Sequence, residues 1–206
     1  MTARSLEGRL RALAAGGVRF VQLRAKQDTA ENRAALVGRL GPIAAALDVA
    51  LVINDDLMAA SLPIPGIWGV HLGQEDMRAA VATSVGRAAL DELRSRGLGL
   101  GLSTHNLRQV EEAARVAPDY IGVGPIFTTR SKPDAEPVTG IETLAHACRR
   151  YDGPVVAIGG LDRSRLQEVR AAGAAAAAAI SGLEATTPDE CEPRARAWVR
   201  AWNHGV

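Results

Sequence analysis

Apolar runs of strand length recur along this chain, separated by segments with helical spacing, and that alternation leaves few folds open. The runs fall at residues 18–23, 50–53, 66–72, 98–103, 120–124, 154–158 and 174–180. They are continuously apolar rather than alternating, which is how strands buried on both faces of a parallel sheet read. Between them lie amphipathic stretches. In 103–116, Leu107, Val110, Ala113 and Ala114 face one way, and Arg108, Glu111, Glu112 and Arg115 the other. Residues 161–172 open on Asp162, a cap candidate, and stop at Gly173, a good residue just past a helix end. Repeated βα units without a long linker predict one parallel sheet, and their number favours a (β/α)8 barrel over an open sheet. A single TIM-barrel-like domain over 1–206 is the expectation.

One strand is short of the count. Residues 5–15, with Leu6, Leu10 and Leu13 on one stripe, read as a helix, and nothing before them reads as a strand. Seven strands stand where a closed barrel needs eight: an α/β TIM (β/α)8-type barrel lacking its first strand. The gap admits three explanations: an upstream start, a barrel open on one side, or another segment filling in. The alanine-rich run at 174–180 is a poor strand former as well.

Composition narrows the function. The formal net charge is +1, which argues against nucleic acid as the main partner. No apolar run reaches membrane-spanning length and no secretory signal opens the chain, so a soluble cytoplasmic protein is expected. Cys148 and Cys191 form no C-x-x-C pair and are expected to be reduced thiols.

In a βα barrel the active site lies at the carboxyl ends of the strands, and the polar residues there form a pattern. The first-read strand carries Gln22, Arg24 and Lys26, an alternation that puts all three on one face. The next ends in Asn54, Asp55 and Asp56, and the third in His71, Gln74 and Asp76. Asp55 and Asp76 are placed to converge on a hard cation; Mg²⁺ takes one or two carboxylates and fills its shell with water and substrate phosphate. Ser103, Thr104 and His105 end the fourth strand. After the fifth comes a loop with Thr128, Thr129, Arg130, Ser131 and Lys132, hydroxyls and cations suited to phosphate. Gly159-Gly160 and Ser181-Gly182 end the last two, the usual phosphate position in this fold.

Each feature has an ordinary reading too. Asn-Asp-Asp makes a turn and helix cap, Arg24 and Lys26 make solvated charges, and a glycine pair makes a loop. His105 caps or packs at a helix start. His146 and His204 read as surface, and Arg194, Arg196 and Arg200 as a solvated helix face opposite Trp198. What favours function is the conjunction of compatible residues at separate strand ends.

The segments VQLRAK, INDD, GVHLGQED, GLSTHN, GVGPIFTTRSKPDA, AIGGL and AISGL, spread from about residue 17 to 183, resemble in type and order the thiamine phosphate synthase family. That resemblance implies a TIM barrel that joins hydroxymethylpyrimidine diphosphate to hydroxyethylthiazole phosphate and releases pyrophosphate. It implies Mg²⁺ on Asp55 and Asp76, and pyrophosphate contacts from Arg24, Lys26, Asn54, Ser103 and Lys132. Gln22 and His71 fall where the family contacts the pyrimidine, and Thr129 and Ser131 lie in the loop that covers the substrates. Gly160, Ile180 and Ser181 match the thiazole phosphate site. The implied chemistry is dissociative: the pyrimidine methylene loses pyrophosphate to leave a stabilised cation, which the thiazole nitrogen captures. The partners expected are these small molecules, with a homo-oligomer possible. The chain departs from the family pattern in its absent first strand and in Arg130 within the loop. Two other readings stay open. One is the related thiazole tautomerase, which carries a histidine where Pro125 stands and lacks the paired aspartates. The other is a non-catalytic ligand-binding paralogue.

Overall fold

The computed structural model describes residues 3–129, 137–183 and 185–205. They fall into two compact units, one of Met1–Leu100 with Ala185–Arg196, the other of Gly101–Glu184 with Ala197–Val206. In chain order the first half holds α1 (Ala3–Ala15), β1 (Phe20–Leu23), α2 (Ala30–Ala46), β2 (Ala50–Asn54), α3 (Leu57–Ala60), β3 (Ile67–Leu72), α4 (Gln74–Ala82), α5 (Ser84–Ser95) and β4 (Gly99–Thr104). Then follow α6 (Leu107–Val116), β5 (Tyr120–Val123), α7 (Ile141–Arg150), β6 (Val155–Ile158), α8 (Leu166–Ala171), β7 (Ala176–Ala178) and α9 (Pro188–His204). Among the described residues all seven strands read from the sequence are present, and none precedes α1.

In the first unit β1, β2 and β3 lie side by side and parallel, with Gln22 opposite Val52 and Asn54 opposite His71. Leu51, Val52, Ile53, Val70 and Leu72 are almost wholly buried, each side chain of this size worth about 1.5–3 kcal/mol on leaving water. Helix α2 lays Val37, Leu40 and Ala44 into this core, and Thr29 caps it by accepting from the Asn32 N–H. Strand β1 is different. Its residues alternate between exposed and half-buried, and Phe20, 44% exposed, meets Trp68 of β3 edge to face with ring centroids 5.0 Å apart. The face carrying Phe20 and Gln22 is therefore the open one.

In the second unit β4, β5, β6 and β7 are parallel neighbours in chain order. Ile121, Val123, Val155 and Ala157 of the sheet are buried, as are Val110 and Ala113 of α6, Leu144 and Ala147 of α7, and Leu166 and Val169 of α8. The segment 103–116 divides in a way that periodicity did not show. Ser103 and Thr104 belong to β4, and the helix starts only after Asn106, whose side chain accepts from the Gln109 N–H at 3.0 Å. Asp162 does cap the next helical segment, accepting from the Ser164 N–H at 3.0 Å, though its first turn, Arg163–Arg165, is 3-10. The alanine strand keeps only Ala176–Ala178, half-exposed, because methyl groups have little surface with which to hold a strand in place.

Candidate active site

At the carboxyl ends of β1 to β3, four of the residues expected from the sequence come together. The β2 strand ends at Asn54, and Asp55 follows with its backbone turned into the left-handed region, φ +59°. Aspartate is among the few non-glycine residues that take this conformation at modest cost. The Asp55 N–H donates to the His71 carbonyl at 2.9 Å, so the turn is tied to the end of β3. Lys26 Nζ then lies 2.8 Å from Asp55 Oδ2, and an Arg24 guanidinium nitrogen 3.8 Å from the same oxygen. The Gly73 N–H, at the start of α4, donates to Asp55 Oδ1 at 3.3 Å. Asp76 stands in the first turn of that helix, where the unpaired N–H groups favour negative charge.

The two carboxyls are close enough to govern each other's ionisation. Burial pushes Asp55 up, but the Lys26 ammonium, by hydrogen bond and by charge, with smaller help from Asp76 and Asn54, holds it below the usual aspartate value. For Asp76 burial acts first, and the Asp55 charge and hydrogen bond add to it, so its carboxyl is held above the usual value. A carboxyl whose ionisation is made costly by a neighbouring carboxylate is relieved by a shared cation. Among the described residues no cluster of three His, Cys, Asp or Glu could hold a metal. A cation placed here would meet at most two protein carboxylates and would need water and substrate oxygens to complete its shell, which is the habit of Mg²⁺. Beside them Asn54 Nδ2 is buried with no acceptor in hydrogen-bond geometry, a donor suited to an incoming anion.

Asp56 takes the other role that the Asn-Asp-Asp motif allows. Its Oδ1 accepts from the Ala59 N–H at 2.9 Å and caps α3, and its Oδ2 lies 2.5 Å from Arg33 Nε. Arg33 also donates to the Asp28 carbonyl at 2.5 Å, tying the segment after Lys26 to the end of β2. Gln22 lies on the exposed face of β1, and His71 is buried at the end of β3.

In the second unit, Ser103 is half-buried on β4 opposite Gly122. His105 keeps its structural role: Nδ1 lies 2.5 Å from the Gly124 carbonyl oxygen, and its own carbonyl accepts from Thr139 Oγ1 at 3.1 Å. Both contacts fasten the loop after β5 at its base. Thr129 is half-buried in that loop, while Ser131 and Lys132, and with them Arg130, lie outside the described residues. Gly160 follows β6 with φ +64°. A Cβ there would come within 2.5 Å of the Thr128 carbonyl oxygen and 2.6 Å of that of Phe127, so only glycine fits. Ile180 is 48% exposed, and Ser181 begins a 3-10 turn, Ser181–Leu183. A Cβ on Gly182 would meet the buried Trp198 ring at 2.6 Å. The sequence reading missed Arg165, whose guanidinium lies over Phe127 and donates to the Gly160 carbonyl at 2.6 Å. No motif marks it.

Comparison with known proteins bears on the fold and the family. The family model described as thiamine monophosphate synthase matches residues 1–183. The thiamine-phosphate synthase of Syntrophomonas wolfei is 36% identical over 192 residues, covering 93% of this chain and 87% of that protein. That of Listeria monocytogenes serotype 4b is 37% identical over 195 residues, covering 91% and 85%. Among solved structures, a thiamine phosphate pyrophosphorylase from Pyrococcus furiosus matches with a TM-score of 0.81 at 25% identity, over 97% of this chain and 90% of that one. The α/β fold is of the TIM-barrel type.

Proposed function

The chain belongs to the thiamine monophosphate synthase family and is a transferase of thiamine biosynthesis; on that premise we propose that it transfers the hydroxymethylpyrimidine group from its diphosphate to hydroxyethylthiazole phosphate. The bond broken joins the pyrimidine methylene carbon to the diphosphate oxygen. The bond formed joins that carbon to the thiazole ring nitrogen. Pyrophosphate leaves, and no protein nucleophile or redox partner is needed.

The observation that carries this reading is the grouping of Arg24, Lys26, Asp55 and Asp76 beside the buried Asn54 amide. Asp55 and Asp76 would hold Mg²⁺, which when bound offsets negative charge on the departing pyrophosphate. Arg24, Lys26 and Asn54 would bind the same group, with Ser103 and Lys132 as further donors. Their charge is worth most where charge grows, on the leaving oxygen. Gln22 and His71 would orient the pyrimidine. Thr129 and Ser131, in the loop after β5, would keep water from the cation left behind, and Gly160, Ile180 and Ser181 would receive the thiazole phosphate through backbone N–H groups.

The tautomerase reading is disfavoured by Pro125 and by the convergence of Asp55 with Asp76. Among the described residues no helix is long and apolar enough to cross a membrane, which is compatible with a cytoplasmic enzyme of small molecules, acting alone or as a homo-oligomer. Incubation of the purified protein with both substrates and Mg²⁺, with and without EDTA, tests the proposal. Thiamine phosphate and pyrophosphate should form in equal amounts, and EDTA should stop both. A paralogue that only binds would take up the substrates and release no product.

A further inference from the structure

We propose that Arg165, with Phe127, is the positioning device of the thiazole phosphate subsite, fixing the backbone donors of the Gly159-Gly160 turn before the anion arrives. This rests on the reading of Gly160 as a phosphate contact. The reasoning begins with the turn itself. Gly159 and Gly160 both have positive φ, +95° and +64°, and two consecutive glycines are the most freely rotating pair a chain can have. A phosphate cradle made of N–H groups needs them held still, since ordering a loop on binding costs affinity.

Both peptide planes of this turn are pinned. In a trans peptide the C=O and the following N–H point in opposite directions, so tying down a carbonyl aims the next N–H. The Gly159 carbonyl accepts from the Phe127 N–H at 3.0 Å, which aims the Gly160 N–H. The Gly160 carbonyl accepts from an Arg165 guanidinium nitrogen at 2.6 Å, which aims the Leu161 N–H. Arg165 is itself held in place twice. Its guanidinium carbon lies 4.3 Å from the Phe127 ring centroid, within range of a cation–π contact, and its Nε is 3.5 Å from Asp162 Oδ2. One residue, Phe127, thus pins the first plane by its backbone and carries on its ring the side chain that pins the second. The guanidinium suits the task because it is planar and donates while stacked; lysine donates but has no plane to lay on the ring.

The test is Arg165→Met, which keeps an unbranched apolar side chain on Phe127 and removes the donor, together with Arg165→Lys and Phe127→Leu. With the thiazole phosphate, kcat/KM should fall about tenfold in Arg165→Met through KM, with the KM for the pyrimidine diphosphate unchanged. With the thiazole alcohol, which lacks the phosphate, kcat/KM should not change. Arg165→Lys should recover part of the loss and Phe127→Leu should share it. Titration of inorganic phosphate by calorimetry, with pyrophosphate present to fill the Arg24 and Lys26 patch, reads the same site without turnover and should weaken by a similar factor. An unchanged phosphate affinity in Arg165→Met, or equal losses with phosphate and alcohol, overturns the inference, as does a wild-type protein that binds no phosphate. Failure to make thiamine phosphate despite normal phosphate binding would instead overturn the functional reading.

Discussion

Asp55 and Asp76 share one patch of the protein and are driven in opposite directions, Asp55 toward ionisation by Lys26 and Asp76 away from it by burial and by Asp55. The pair is ready to bind a cation only when the harder of the two has lost its proton.

This fixes a pH dependence. Asp76 has a raised value in the folded state, so its contribution to stability is complete below its unfolded value and is lost as pH rises through the folded one. Asp55, with a lowered value, contributes above its ordinary value and loses that as pH falls through the folded one. At neutral pH without metal, Asp76 is therefore a burden. Asp76→Asn should melt higher than the wild type at neutral pH without Mg²⁺, and the gap should close in acid. Mg²⁺ should raise the melting temperature of the wild type and not of the variant; melting curves at two pH values, with and without Mg²⁺, decide it.

For Asp55 the informative change is to asparagine. Asparagine accepts a φ of +59° as readily as aspartate, so Asp55→Asn removes the charge without straining the turn. We expect turnover to fall beyond the roughly 10–100-fold typical of groups that only support a ligand, with circular dichroism unchanged. Near wild-type turnover would remove Asp55 from the metal site.

Asp56→Ala should give the converse result. The α3 cap is lost, which costs about 0.5–2 kcal/mol, and Arg33 loses its carboxylate partner while keeping the Asp28 carbonyl. The midpoint of urea unfolding should drop while Mg²⁺ dependence and the KM for the diphosphate persist.

Arg24→Ala and Lys132→Ala should act on the chemical step, because each charge meets a negative charge that grows as the leaving group departs. Removing such a group lowers kcat by about 10²–10³. A raised KM at constant kcat would indicate uniform binding instead.

The strand positions were legible because continuous apolar runs have few other uses, and each of the seven was found within a few residues of its expected place. The exception in extent was 174–180, where alanines extend the apolar pattern past the three residues that pair. The polar strand ends were legible for the same reason: once a strand is placed, the fold says which end carries chemistry. Two things needed the structure. The expectation set Asp55 rather than Asp56 toward the cation, and the physical reason for the difference is the backbone turn at Asp55, which assigns one to Lys26 and the other to Ala59. Arg165 reads as one more arginine at a helix start; its position over Phe127 is made by tertiary folding and has no local pattern.

Because both residues of that pair are aspartates, the segment 54–57 has a phase as well as a composition. Losing one residue ahead of the pair would offer Lys26 the carboxylate that caps α3, and gaining one would offer the cap the carboxylate that now meets Lys26. Substitution scans leave this phase intact and would rate the segment as two separable positions. Single-residue insertions and deletions would expose it as one indivisible unit.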